Sequence, residues 1–340
     1  MPMNPYKYLV LLLIPLTAIP GFIWHGYLTF LTPFCCFVLL PFAELLPVTL
    51  NFRDTNKTSN PNTFRFITYF FSFVVLLFIL IGCMDSGSVF FIKTEFAGLL
   101  LSVGVINGII GFTLAHEFIH KHGLFEKMLG GALLAGSNYL HYSIEHVYGH
   151  HVNACTFHDP NSARLGESFY HFLLRSVAGS YKNAWRIENK RLRKKCIPFY
   201  SIHNKMLVFQ LIGLTLLLTI FLVFGKPALL FFVGQSFIAI VIHQMANYIQ
   251  HYGLNRRYIN DQHEKLNAHH AWSIPGKCKI IDLFHVENHA DHHLHAATPF
   301  YKLVSKDDSP KLPANYPTMV LLSLFPPLWF KIIHRHISTI

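Results

Sequence analysis

Charge is scarce in this sequence. Only 13% of its residues are Asp, Glu, Lys or Arg, against about a quarter in soluble domains, while 52% are hydrophobic. That shortage excludes an ordinary soluble enzyme. Acid is scarcer than base, with 17 Asp and Glu against 28 Lys and Arg and a net charge of +11. A basic excess also suits nucleic acid, but in a chain this apolar it marks loops held on the cytoplasmic side of a membrane, and no nucleic-acid partner is expected. Cysteine is thin and unpatterned: Cys35, Cys36, Cys83, Cys155, Cys196 and Cys278 include no C-x-x-C, which excludes a built-in zinc ribbon or iron–sulfur knuckle. The six read as packing thiols. The first apolar run lacks a basic flank and a small-residue cleavage site, so no cleavable signal peptide is expected.

What the chain does have is apolar sequence in membrane-sized pieces. A helix needs about 20 mainly apolar residues to cross the roughly 30 Å of a bilayer core. From Tyr8 to Ala43 there is no charged side chain, too long a run for one crossing, and Pro20-Gly21 to His25-Gly26 supplies a turn. The expected spans are 8–24, 27–49, 66–84, 96–115, 206–224 and 228–248, the last two forming a hairpin around Gly225-Lys226-Pro227. The expected fold is therefore all-α: one polytopic integral-membrane domain over 1–340 with about six transmembrane helices. The stretch 128–142 is apolar but short, and reads as a buried or interfacial helix. Met319 to Phe330, with Pro326-Pro327, reads as interfacial.

Charge orients the spans. Arg53, Lys57 and Arg65 lie between spans two and three, and Lys182, Arg186, Lys190, Arg191, Arg193, Lys194, Lys195 and Lys205 between four and five. Arg256, Arg257, Lys265, Lys277 and Lys279 follow span six, while the opposite loops hold Lys93 and Lys226. Both termini are thus placed on the cytoplasmic side. The basic run 190–195 has two readings, a strip resting on anionic lipid headgroups or a dock for an acidic soluble partner.

Histidine is the other abundance. Of 23 histidines, 19 fall in 116–171 or 243–295, in four clusters that the orientation places on the cytoplasmic side. His116 and His120 are four apart, as are His146 and His150, and His289 precedes His292 and His293 by three and four, the spacings that put side chains on one helical face. With His151 and His251 these make nine imidazoles, more than one ion can hold. Two ions with four or five ligands each would use them all. An almost all-nitrogen set favours iron, zinc or copper over magnesium or calcium. Metal-bound histidine usually donates its other ring N–H to a carboxylate or carbonyl, and Asp291, Glu117 and Glu145 are the candidates beside the clusters. His25, His243, His334 and His336 stand alone and read as core residues. Glu44, an acid within span two, has two readings, a functional intramembrane carboxyl or a residue near the inner headgroups.

His116-Glu117-x-x-His120 also matches the H-E-x-x-H of zinc proteases, but a protease needs one further ligand, not seven. A metal transporter would hold its ligands near the bilayer midplane, whereas these gather beyond the inner ends of the spans.

The blocks HEFIHK (116–121), EHVYGHH (145–151), NYIQHYGL (247–254) and NHADHHLHA (288–296) resemble, in order, those of the membrane-bound non-haem di-iron alkane hydroxylases (alkane 1-monooxygenases), relatives of xylene monooxygenase and of membrane fatty-acid desaturases. DPNSARLGES (159–168) is similar to the stretch that follows their second block. The resemblance implies two iron ions held by His116, His120, His146, His150, His151, His251, His289, His292 and His293. It implies O2-dependent hydroxylation of a terminal methyl, with alkylbenzenes or fatty acyl chains as alternative substrates. Electrons would come from a separate rubredoxin served by rubredoxin reductase. It also implies a multi-pass protein of the bacterial inner membrane, active on the cytoplasmic side, taking an apolar substrate from the lipid. Aromatics such as Phe34, Phe37, Phe42, Phe70, Phe71 and Phe73 are candidate tunnel residues, more often simple packing. Phe118-Ile119 and Glu287-Asn288 depart from the family's usual pairs without touching a candidate ligand.

Overall fold

The structure is a computed structural model that describes residues 4–44, 60–90, 92–274 and 283–337. Arg53, Lys57, Lys277, Cys278, Lys279, residues 45–49 of the second expected span and the side chain of Glu44 lie outside the described residues. Five helices are long and apolar enough to cross a membrane, which makes this a membrane protein. They are α1 (Pro5–Trp24), α2 (Gly26–Ala43), α3 (Pro61–Val89), α4 (Lys93–Ile119) and a 47-residue α8 (Lys205–His251). Between and after them come α5 (Leu124–Ala135), α6 (142–153), α7 (Phe169–Lys194), α9 (His289–Leu294), α10 (Tyr316–Ser323) and α11 (Pro326–Ile337). Among the described residues the only sheet is a hairpin of β1 (Tyr258–Ile259) and β2 (Gln262–His263). Its turn residues Asn260 and Asp261 both have positive φ, as a two-residue hairpin loop requires.

The helix starts follow capping rules. The side chains of Asn60, Ser168 and Asn204 each accept a backbone N–H of the turn they open, satisfying donors that a helix leaves orphaned. Within α8, Gly225 sits at φ 82°, ψ −176° and Pro227 follows, so the helix breaks there. Gly213 packs against the Asn138 side chain, and Gln235 Nε2 donates to Gly136 O at 2.7 Å. An unbroken helix would hold residues 213 and 235 about 33 Å apart. Both reach the same loop, so the two arms of α8 lie side by side and antiparallel, as the Gly-Lys-Pro sequence predicts.

Glycine lets α4 approach the second arm closely. A Cβ at Gly104 would meet Ile238 Cβ at 2.6 Å, and one at Gly108 would meet Ile242 Cβ at 2.8 Å. Such small-residue contacts are how helices associate in lipid. The pairs 104–238 and 108–242 advance together, so α4 and the second arm run parallel. That register delivers His116 and His251, at their C-terminal ends, to one end of the bundle. Asn107 ties the same layer together, its Nδ2 donating to Ser137 Oγ (2.9 Å) and Gln235 Oε1 (3.1 Å).

Outside the spans, α7 is amphipathic. Phe172, Ser176, Ser180, Ala184, Glu188 and Leu192 are buried at four-residue steps, while Lys182, Arg186, Lys190 and Lys194 are exposed on the opposite face. A second core gathers Phe169, Phe172, Tyr248, Tyr252, Trp272, Met319, Trp329 and Ile333. Each such large apolar side chain contributes about 1.5–3 kcal/mol on full burial. The segment expected to be interfacial, 319–330, thus splits into α10 and α11, and both buttress the end of α8 that carries His251. The short apolar stretch expected over 128–142 is the latter half of α5 followed by turns.

Candidate metal centre

All nine histidines of the four blocks come together, in two groups. His116, His120, His146, His151 and His292 form one, and His150, His251, His289 and His293 the other, with the ligating atoms of each group within 4.8 Å of one another. The partition differs from the one that spacing predicts. His146 and His150, four apart, belong to different groups, because residues 146–150 form a π turn in which His146 pairs with the residue five positions on. His146 Nε2 and His151 Nε2 lie 3.0 Å apart. The pairs His150/His151 and His292/His293 each send one ring to each group.

The nitrogens crowd in a manner that protons alone do not explain. His251, His289 and His293 form a triangle of Nε2 atoms with edges of 3.1, 3.2 and 2.9 Å, and His292 Nε2 lies 3.1 Å from His151 Nε2. Two ligands held about 2.1 Å from one ion at right angles sit roughly 3.0 Å apart. His116 Nε2, His120 Nε2 and His150 Nε2 are buried with no hydrogen-bond partner among the described residues. Buried polar atoms are almost always satisfied, and a cation at each group would satisfy these.

Electrostatics keeps the rings in the ligating form. Burial, then the neighbouring imidazoles, holds His146, His151, His289, His292 and His293 far below the ordinary histidine range, and burial pushes His120 down to about 2. Neutral imidazole is what a metal binds. His150 is the exception: burial lowers it, but the Asp159 carboxylate against its Nδ1 (2.8 Å) raises it overall. Asp159, opposed by burial, is held below the carboxylate range by His150, Ser162 Oγ (2.5 Å) and the Asn161 N–H (3.0 Å).

Asp159 is the acid that the sequence reading missed. The three candidates it offered hydrogen-bond elsewhere. Glu117 pairs with Lys121 Nζ (2.7 Å) and accepts from Phe300 N. Glu145 accepts from Asn161 Nδ2 (2.6 Å) and Asn183 Nδ2 (3.2 Å). Asp291 binds His295 Nδ1, Lys306 Nζ and Val304 N. They brace the ligand-bearing segments, whereas Asp159 fixes a ligating ring directly. Among the described residues the other carbonyl bonded to one of the nine rings is His270 O, 3.0 Å from His251 Nδ1. These two acceptors put the proton on Nδ1 and leave Nε2 for a metal. Arg175, also unread in sequence, pins the Asp159 loop: its guanidinium grips both oxygens of Glu167 and donates to Pro160 O and Ser162 O.

With Glu117 committed to Lys121, and five histidines sharing the group that contains His116 and His120, the H-E-x-x-H here is not a one-metal protease site. His334 is half-buried, its Nε2 2.9 Å from Tyr252 Oη. His243 belongs to neither group. It stacks on Phe112 at 4.5 Å in the wall of a cavity of about 170 Å³. That cavity is lined by Ile14, Cys36, Phe37 and Leu40 of α1 and α2, by Gly108, Ile109 and Ile242, by the polar Asn247, Gln250, Glu287 and Asn315, and by His116, His146 and His289. Of the six aromatics considered for a tunnel, Phe37 lines it, Phe71 is packed in the core, and Phe34, Phe42, Phe70 and Phe73 face outward.

A family model for fatty acid desaturases matches residues 94–323. The chain is 42% identical over 233 residues to alkane 1-monooxygenase 1 of Pseudomonas aeruginosa, covering 68% of this chain and 61% of that one. It is 37% identical over 243 residues to alkane 1-monooxygenase 2 of Alcanivorax borkumensis, covering 71% and 63%. Over 339 residues, 98% of this chain and 89% of the other, it is 26% identical to the xylene/toluene monooxygenase hydroxylase component XylM of Pseudomonas putida. The chain spans about three fifths of the length of the alkane 1-monooxygenases it matches.

Proposed function

The chain belongs to the fatty acid desaturase family, and from that premise we propose that it is a membrane monooxygenase converting a terminal methyl group of an alkane to a primary alcohol at a di-iron centre. The observation that carries the reading is the cavity. It is lined mainly by apolar side chains, including those of α1 and α2, and by rings of both histidine groups. An apolar chain lying in it would present one end to His116, His146 and His289. The named activity of the alkane 1-monooxygenase relatives supports this substrate class. The match to the xylene/toluene component, which runs the length of the chain, supports methyl groups of alkylbenzenes as a second class.

The nine imidazoles would hold the two irons, with Asp159 orienting the His150 ring. Bound there, iron supplies the O2-derived oxidising power that an unactivated C–H bond demands and no side chain carries. The protein's part is to position and exclude. Asp159 keeps the proton of His150 on Nδ1, and the His270 carbonyl does the same for His251. Phe112, Ile109 and Ile242 wall part of the cavity with apolar surface suited to a hydrocarbon. In this reading the two arms of α8 each cross the bilayer, making six crossings. Lys182, Arg186, Lys190, Arg256 and Arg257 mark the histidine end as cytoplasmic, in a bacterial inner membrane. Electrons arrive from a separate rubredoxin and its reductase.

The test is metal content together with product analysis on detergent-purified protein. Two irons per chain and 1-octanol formed from octane, with matched O2 uptake, are expected. Zinc alone, or O2 uptake indifferent to any alkane or alkylbenzene, would sink the proposal.

A further inference from the structure

The reaction consumes two electrons from outside the chain, and the described residues offer them a short way in. Val152, Phe157, Leu165 and Tyr258 are apolar side chains 56–75% exposed, and contacts link three of them into one surface strip with Leu165 beside it. The Arg164 guanidinium lies 5.5 Å over the Phe157 ring, and Leu165 follows it in the chain. Arg256 donates to Val152 O (2.9 Å) and to Glu264 O (2.7 Å). His263 meets both His158 and Tyr258 ring to ring.

This strip lies over the metal ligands. Val152 directly follows His151 of the five-histidine group. Glu264 Oε1 binds His270 Nε2 (3.2 Å), and the His270 carbonyl accepts from His251 Nδ1 of the four-histidine group. A bonded path therefore runs from the surface to each group. α7 is bonded to the ligand segments too, Asn183 to Glu145 and Ser180 to Asn161, but among the described residues no such bond starts from Lys182, Arg186 or Lys190. Asn183 and Ile187 of α7 pack against Gly149, while the side chains of Lys182, Arg186 and Lys190 are exposed to solvent.

Resting on the monooxygenase reading above, we propose that this strip is the docking surface for a small acidic one-electron donor protein, with Arg164 and Arg256 meeting its carboxylates. Four apolar side chains make a small patch, suited to the low-area contacts of transient redox encounters, from which the donor must leave after each electron. Two encounters each oxidise one donor iron from Fe(II) to Fe(III). With those two electrons and two protons, O2 is cleaved: one oxygen inserts into a C–H bond of R–CH3 to give R–CH2OH, and the other leaves as water.

The experiment uses full-length, iron-loaded protein in lipid nanodiscs, mixed anaerobically in its oxidised state with reduced rubredoxin or with reduced methyl viologen. The readout is the ratio of the two reduction rates. The double variant F157S/R164E is expected to lower the ratio about tenfold or more and to flatten the salt dependence of the rubredoxin reaction. The α7 variant K190E/K194E is expected to keep the wild-type ratio. The opposite pattern would place the dock on α7 and overturn the proposal, as would unchanged ratios in both, which would leave the strip to lipid. A wild-type centre reduced by methyl viologen but never by rubredoxin would overturn the donor class. A centre reduced through the strip that hydroxylates no hydrocarbon would overturn the substrate reading and leave the dock standing.

Discussion

At the scale of the residue, Asp159 decides the character of one histidine group. Outer-sphere carboxylates of this kind typically change metal affinity by 10–100-fold when removed. Asp159→Asn is expected to weaken iron binding by about that factor, measured by competition with a chelator, while Asp291→Asn, which touches no ligating ring, leaves it near wild type. The depressed histidines also set a pH dependence for the metal-free protein. Their folded pKa values lie below the unfolded one of about 6.5, so below that pH the unfolded chain takes up protons that the folded chain refuses. Stability is therefore lost as pH falls below about 6.5, by up to roughly 1.4 kcal/mol per pH unit for each such ring, and His120 alone stays unprotonated to about 2. The melting temperature of apo-protein at pH 7.5 and 5.5 checks this, and bound metal should raise both values without removing the difference, because metal-held rings also refuse protons that the unfolded chain takes up. The ligands were legible in the sequence because their clusters are dense. Asp159 was not, because its partner His150 sits nine residues away across a loop shaped by Arg175, and no local spacing encodes that.

At the scale of the element, small departures from regular helix do the positioning. The π turn at 146–150 pairs His146 with His151, and others at 35–39 and 107–111 supply Cys36, Phe37, Gly108 and Ile109 to the cavity wall. Extra residues inserted into helices recur at functional sites. Periodicity of 3.6 cannot show them, which is why the ligands could be listed from sequence but not sorted. Gly225-Lys226-Pro227, by contrast, announced its hairpin through residue chemistry alone. Gly104 and Gly108 separate two roles. Both face α8, but Gly108 also lines the cavity. Alanine at either is expected to destabilise by about 1–3 kcal/mol through overpacking, seen as a lower melting temperature in nanodiscs. Only Gly108→Ala should also shift the preferred substrate toward shorter chains, read from product profiles on mixed alkanes.

At the scale of the whole molecule, five or more apolar helices surround a metal site that no single one of them could build, and half-buried Phe37 and Leu40 on the outer helices line the cavity between them. Leu40→Trp should obstruct entry from that side. It is expected to raise KM for alkanes severalfold with iron content unchanged, whereas an unchanged KM would mean that substrate enters elsewhere. Entry from the lipid side would have a further consequence for how preference is measured. On the alkane reading the protein would sample hydrocarbon dissolved in the bilayer, not in water, and each added methylene enriches the bilayer pool by about 0.8 kcal/mol, roughly fourfold. KM expressed as an aqueous concentration should then fall about fourfold per carbon even if the protein is indifferent to length. Expressed as a mole fraction in lipid, the same data should run flat until the chain outgrows the cavity, and only beyond that break is the selectivity the protein's own.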